Sequence, residues 1–164
     1  MKALKLPIAL LLAIVMFSSC STDSMNDELN SVSSDVVIPQ SKGIEVEILN
    51  LINQHREDLG LNPLQPMELI KSQTYSHNDY MIEKNQVSHD YFYQRKNFLT
   101  SNTGASSVAE NVAYGYPTAE AVVNAWLNSE GHRANIEGDY THFEVSADTN
   151  EAGHLYYTNI FIKK

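Results

Sequence analysis

Three side chains of this sequence have the chemistry of a ligand-holding or reactive cleft: His89, Glu110 and His132. Two neutral imidazoles near a carboxylate are donor types that hold a divalent transition metal such as zinc, with positions left open for water. The same trio suits proton transfer, because a carboxylate beside an imidazole raises the ring's basicity. Residue type alone leaves both open. No nucleophile is evident: Ser88 and Ser129 lie near the histidines in sequence, but nothing in the spacing puts either hydroxyl in reach of an imidazole. More than twenty residues separate His89 from Glu110 and Glu110 from His132, so the spacing is silent on whether they meet. A purely structural reading also stands, in which Glu110 and Asn111 tie down a loop while Arg133 and Asn135 bond to backbone carbonyls.

The elements that would position these residues are legible in the apolar pattern. Ile44, Ile48, Leu51, Ile52, His55 and Leu59 recur at the three- and four-residue spacing of an amphipathic helix closed by Gly60. After a turn around Leu64, Met67, Ile70, Thr74, His77 and Met81 mark a second helix ending near Asn85. His55 and His77 fall on these stripes and read as core or rim residues rather than ligands. Thr118 after Pro117 is an N-cap, and Ala119, Val122, Val123 and Trp126 form the buried stripe of a third helix, with Gly131 beyond its end. Phe143, Val145 and Ala147 alternate as in a strand, and Leu155 to Ile162 is apolar and aromatic at almost every position, like a strand covered on both faces. Asn150 to Gly153 joins the two as a hairpin turn. Val87 to Tyr116 shows little periodicity and reads as a long loop with at most a short strand or helix, the kind of segment that is usually functional.

The start of the chain has a different character. Lys2 and Lys5 precede an apolar run from Leu6 to Phe17, too short to span a bilayer, which needs about 20 residues. The run ends at Phe17-Ser18-Ser19-Cys20, which resembles the bacterial lipobox, and Cys20 is the only cysteine of the chain. Residues 1–19 are therefore expected to be a lipoprotein signal peptide, and Cys20 the lipid attachment that holds the protein on the membrane. Two or three acyl chains make such anchoring stable where one is marginal. Residues 20–43, rich in Ser, Asp and Asn, read as a flexible tether. With one cysteine no intrachain disulfide can form, so packing must stabilise the body, residues 44–164. The formal net charge is −9, and losing the leader's lysines makes it more negative, which argues against nucleic-acid partners.

Four short motifs then occur in order. Asn53-x-x-Arg56 followed by Leu59-Gly60-Leu61-x-Pro63-Leu64, Ser88-His89, Ala109-Glu110-Asn111-Val112-Ala113, and Trp126 through Ile136 resemble the successive motifs of bacterial CAP (SCP-like) domains. The resemblance covers nearly all of residues 44–164. It implies an α+β fold, a three-layer α/β/α sandwich around a small, mostly antiparallel sheet, with a cleft lined by two histidines and two acidic residues. His89, Glu110 and His132 match three of those four positions, and the resemblance makes His89 and His132 the expected metal ligands. At the fourth, Ser129 stands where many members outside bacteria place a glutamate, and Glu130 stands where bacterial relatives usually carry proline. Ala109 replaces the usual glycine, and Glu144-Val145-Ser146 replaces the Gly-Val-Gly of a later strand.

Three functions compete. The first is a cell-envelope binding module whose cleft holds a divalent metal, a lipid or a peptide without turnover. The second is a hydrolase of peptide or cell-wall material that uses metal or acid-base activation. The third is a surface interaction or adhesion protein. The missing nucleophile and the altered fourth position favour the first.

Overall fold

The computed structural model describes residues 37–164; the expected signal peptide, Cys20 and most of the expected tether fall on residues 1–36, outside the described residues. Helix α1 spans Gly43–Asp58, strand β1 Gln65–Pro66, α2 Glu68–Lys84, α3 Phe92–Thr103, β2 Ser107–Tyr114, α4 Ala119–Leu127, α5 Glu130–Ile136, β3 His142–Thr149 and β4 Leu155–Lys163. The sheet runs in the order β1-β3-β4-β2, parallel between β1 and β3 and antiparallel elsewhere. Helices cover both faces, giving the expected three layers.

Alternation along the strands decides which helix packs where. On one face, Phe143, Val145 and Ala147 of β3 and Tyr157 and Phe161 of β4 pack with Ile48 and Ile52 of α1 and Ala119, Val122, Val123 and Trp126 of α4. The opposite face carries α2 and α3, and its apolar contacts form two smaller groups, one around Ile70, Leu99, Val108, Ile160 and Ile162, the other around Met81, Val112 and Tyr156. Much of the α2 side is a polar seam instead. Lys71 Nζ donates to Glu45 Oε2 at 2.6 Å and to the Val145 carbonyl at 2.7 Å. One turn on, the Thr74 and Ser146 hydroxyls meet at 2.9 Å. Another turn on, Asn78 donates to the Tyr156 carbonyl and accepts from Thr158 Oγ1 at 2.7 Å.

The body is entered at Lys42, whose ammonium bonds the Ala147 carbonyl at 2.9 Å and pairs with Asp148, fixing the first turn of α1 on the sheet. The Asn150–Gly153 turn forms as expected, with Gly153 at φ 80° and its N–H on the Asn150 carbonyl.

Two regions depart from the sequence pattern. Val87 to Tyr116 is largely ordered into α3 and β2. The buried stripe of α3 is Arg95, Leu99 and Thr103, so two of its three members are polar and the hydropathy pattern does not reveal it. The helix after Thr118 stops at Leu127, so Gly131 does lie beyond its end, but inside a separate helix that Ser129 begins rather than in a terminating turn. β2 is an edge strand, and two of its carbonyls accept side-chain donors from the helices beside it. Trp126 Nε1 bonds the Val112 carbonyl at 3.2 Å and Asn135 Nδ2 the Glu110 carbonyl at 3.3 Å.

Glu144 sits at the head of the polar seam, 6% exposed, with Oε2 lacking a partner. Burial pushes its pKa from 4.5 to about 7, against the opposing pull of Lys71. Between these values the folded state holds a proton that the unfolded chain releases, so stability falls as pH rises. Glu144→Gln should therefore stabilise the protein by about 1–3 kcal/mol at pH 8 and by little at pH 4, measured by urea denaturation at both pH values.

Candidate functional site

Glu110 is the centre of the site, and its surroundings explain its state. Strand alternation points it at the α2 and α3 layer, where its side chain is 1% exposed. Arg95 of α3 clamps it with two charge-assisted bonds, Nε to Oε2 and Nη2 to Oε1, each 2.8 Å. His89 Nδ1 contacts Oε1 at 2.9 Å. An ionised carboxylate only accepts, so Nδ1 carries the hydrogen and, in the neutral ring, Nε2 is left with the lone pair. Burial would raise the Glu110 pKa, but the bonds from His89 and Arg95 and the guanidinium charge outweigh it and hold the carboxyl below its usual value. Arg95 Nη1 also bonds the Asp90 carbonyl at 2.7 Å, fastening the loop that carries His89.

His77 lies behind this pair. Its Nε2 donates to the Ser88 carbonyl at 2.8 Å and stands 4.0 Å from Glu110 Oε1. Burial, then the Arg95 charge, lower its pKa, so the ring stays neutral with its proton on Nε2. It is the buried histidine its helical stripe suggested, and it also backs the site.

The cleft opens along β2. A cavity of about 590 Å³ is lined by Ser88, His89, Val112, Tyr114, Trp126, Ser129 and His132, among others. His89, from the α2–α3 loop, and His132, from α5, thus reach one cavity from opposite sides of the edge strand. His89 has a half-exposed side chain. His132 is partly buried, which lowers its pKa, and the His89 charge adds to the effect. Its position is set through the backbone: Asn111 Nδ2 bonds the His132 carbonyl at 3.0 Å, and Asn111 Oδ1 accepts from Asn135 at 2.8 Å. Asn135 therefore does bond a backbone carbonyl, that of Glu110, while Glu110 itself lies in a strand. At the fourth position Ser129 lines the cavity, whereas Glu130 is exposed and is not among the lining residues.

As a metal site the donor set is incomplete. Among the described residues no group of three or more His, Cys, Asp or Glu side chains is placed to hold an ion. Glu110 has both oxygens engaged, leaving two imidazoles where a resident zinc takes at least three protein ligands. Neither Ser88 nor Ser129 has a hydroxyl bonded to an imidazole; Ser88 Oγ accepts from the Asp90 N–H instead. Arg95 was missed in the sequence because its segment lacks periodicity. The available signal was Glu110 itself, since a carboxylate inside an apolar strand pattern requires a cation nearby.

Residues 49–161 match the model of the family described as the cysteine-rich secretory protein family, CAP. The chain belongs to the CAP family. It is 36% identical over 124 residues to the uncharacterized membrane protein YlbC of Bacillus subtilis, a match covering 73% of this chain and 34% of the relative. To YkwD of the same organism it is 37% identical over 108 residues, covering 62% and 41%. The chain thus spans well under half the length of these curated relatives. Among solved structures, an extracellular SCP-domain protein of Bacillus anthracis superposes with a TM-score of 0.65 at 28% identity, covering 74% of this chain and 41% of that one. An outer surface protein of Borrelia burgdorferi shares the fold with a TM-score of 0.64 at 21% identity, covering 71% and 90%. Despite the family's name, this CAP domain contains no cysteine.

Removing the clamp has a defined cost. Arg95→Met should strand a buried carboxylate and destabilise the fold by about 3–5 kcal/mol at pH 7, read by urea denaturation. The loss should shrink toward pH 4, where the unpaired carboxyl takes up a proton, and Glu110→Gln in the same chain should recover part of it.

Proposed function

We propose that this protein is an envelope-anchored binding module whose cleft holds a small ligand between His89 and His132. The observation that carries the reading is the full commitment of Glu110. Its oxygens are spent on Arg95 and His89, so the carboxylate orients an imidazole instead of meeting a substrate. What faces the cleft is two imidazoles, the hydroxyls of Ser88 and Ser129, and the rings of Tyr114 and Trp126. That lining suits recognition through a few directional bonds and an apolar wall. A lipid head group, a peptide or a metal ion shared with water fits this chemistry.

One observation favours hydrolysis as a second reading. A buried carboxylate bonded to His89 Nδ1 fixes the tautomer whose Nε2 can take a proton. The missing hydroxyl–imidazole contact weighs against it.

Zinc is the simplest probe of the two imidazoles. Calorimetry on the full chain in micelles should show weak zinc binding, most of it lost in His89→Ala, in His132→Ala and in the double variant alike, because ligands of one ion are not additive. Only the neutral ring coordinates, and His132 resists protonation, so its contribution should persist somewhat below pH 6.5 and fade as pH drops through its lowered pKa. Zinc binding unchanged in the double variant would remove the shared site.

Anchoring through Cys20 is part of the same proposal, supported by the lipobox-like run and by the extracellular description of the 28%-identical SCP-domain relative. Cys20→Ala should move the protein from the membrane fraction to the soluble fraction; retention on membranes would count against a lipid anchor.

A further inference from the structure

One motif of the sequence, Asn53-x-x-Arg56, lies outside the cleft, and its two named residues act in different places. Asn53 ties down the turn after its own helix: Nδ2 donates to the Leu64 carbonyl at 3.0 Å and Oδ1 accepts from the Leu64 N–H at 2.8 Å. Arg56 reaches further. It is 2% exposed, and among the described residues its three bonds all end on backbone carbonyls. Nε donates to Asn62 at 2.9 Å, and Nη1 to Ile136 at 2.7 Å and to Gly138 at 2.9 Å. The last two close the C-terminal end of α5, where helical carbonyls lack partners of their own and a positive charge is favoured. Beside it, His55 Nε2 meets Glu137 Oε1 at 3.0 Å, a part-exposed and weaker tie from α1 to the same place.

That end matters because little else holds α5. Of its seven residues Glu130, Gly131, Arg133 and Ala134 are exposed, and Ile136 alone is buried, one turn beyond His132. Apolar burial thus secures only the C-terminal turn, and an element with few buried contacts opens at low cost. The rest of the grip is side chain to backbone or amide to amide: Asn111 on the His132 carbonyl, and Asn135 on Asn111 and the Glu110 carbonyl. Helix α1, by contrast, is fixed on the sheet through the fully buried Ile48 and Ile52. Arg56 is therefore a fixed point, and the helix bearing His132 is the part that it holds.

We propose that Arg56 is a positioning residue for the cleft: by latching the C-terminal end of α5 to α1, it sets where the His132 imidazole stands opposite His89. The importance of that placement rests on the cleft being a binding site, whereas the latch can be read without a ligand. Lysine does not replace arginine here, because a guanidinium spreads its donors over a planar fork and these bonds diverge from two of its nitrogens, whereas an ammonium is a single point.

The test uses the full chain in micelles. Arg56→Lys and Arg56→Gln are the variants, and Ile70→Val, which thins the core on the opposite face of the sheet, is the control for general loss of stability. Two ligand-free readouts are taken at pH 8: the ring signals in spectra of carbon-13 histidine, assigned with His89→Ala and His132→Ala, and amide exchange across residues 128–140. In the Arg56 variants the His132 signal should move while that of His89 stays, and exchange within α5 should rise by at least about tenfold while β4 remains protected. Ile70→Val should do neither. Zinc affinity should fall by at least about tenfold in the Arg56 variants and hold in Ile70→Val. An unmoved His132 signal overturns the proposal, as does faster exchange spread evenly over the protein, the mark of lost stability alone. Zinc affinity equal to that of the wild type in a variant whose α5 exchanges faster overturns it too. If neither Arg56 variant folds, the residue serves stability and the positioning role is overturned. A wild type that binds no zinc counts against the cleft reading alone, and the two ligand-free readouts then decide the latch.

Discussion

A carboxylate inside a sheet has to be paired, and the pairing of Glu110 with Arg95 organises much of what surrounds it. Neutralising a buried charge needs a partner of fixed geometry, and the planar fork of arginine supplies two parallel bonds where lysine would supply a point charge. Because Arg95 belongs to α3, the pair docks that helix on β2. Because its remaining nitrogen holds the Asp90 carbonyl, the pair also closes the α2–α3 loop. The carboxylate then has one direction left and uses it to fix the His89 ring. Helix, loop and cleft imidazole thus depend on one ionised group.

The two faces of the sheet are held by different physics. Against α1 and α4 the contact is mainly apolar, with a few directional bonds from Lys42, Glu45 and Trp126. Against α2 it is a row of directional bonds at one-turn intervals, through Lys71, Thr74 and Asn78. Hydrogen bonds fix register in a way that non-directional burial does not. Helix α2 leads directly into the segment bearing Ser88 and His89, so the seam that fixes its register also fixes where that segment begins. Glu144 and Ser146, which stand where the resemblance places glycines, lie along this seam, and Ser146 supplies the contact with Thr74.

How much of this was legible depended on whether a residue's partner was apolar. The stripes of α1 and α4 and the almost continuous apolar run of β4 are visible because water exclusion writes its pattern into consecutive residues. The resemblance to CAP domains supplied the layering and the cleft positions. Helix α3 escaped notice because Arg95 and Thr103, two of its three buried residues, are polar and are buried only because of partners far away in sequence. The role of Glu110 escaped for the same reason: its type announced chemistry, but only Arg95 shows that the carboxylate is already occupied. Asn135 was foreseen as a backbone tie, whereas the clamp beside it depends on a residue in a stretch with no pattern.

The side-chain bonds made by Trp126 and Asn135 to β2 carry a consequence for life in company. An edge strand with open carbonyls is a template on which a neighbouring chain can add its own strand. Here the buried indole and the part-buried amide already occupy two of those carbonyls, and a newcomer would have to displace them. The helices that shape the cleft thereby guard part of the edge that borders it against strand addition.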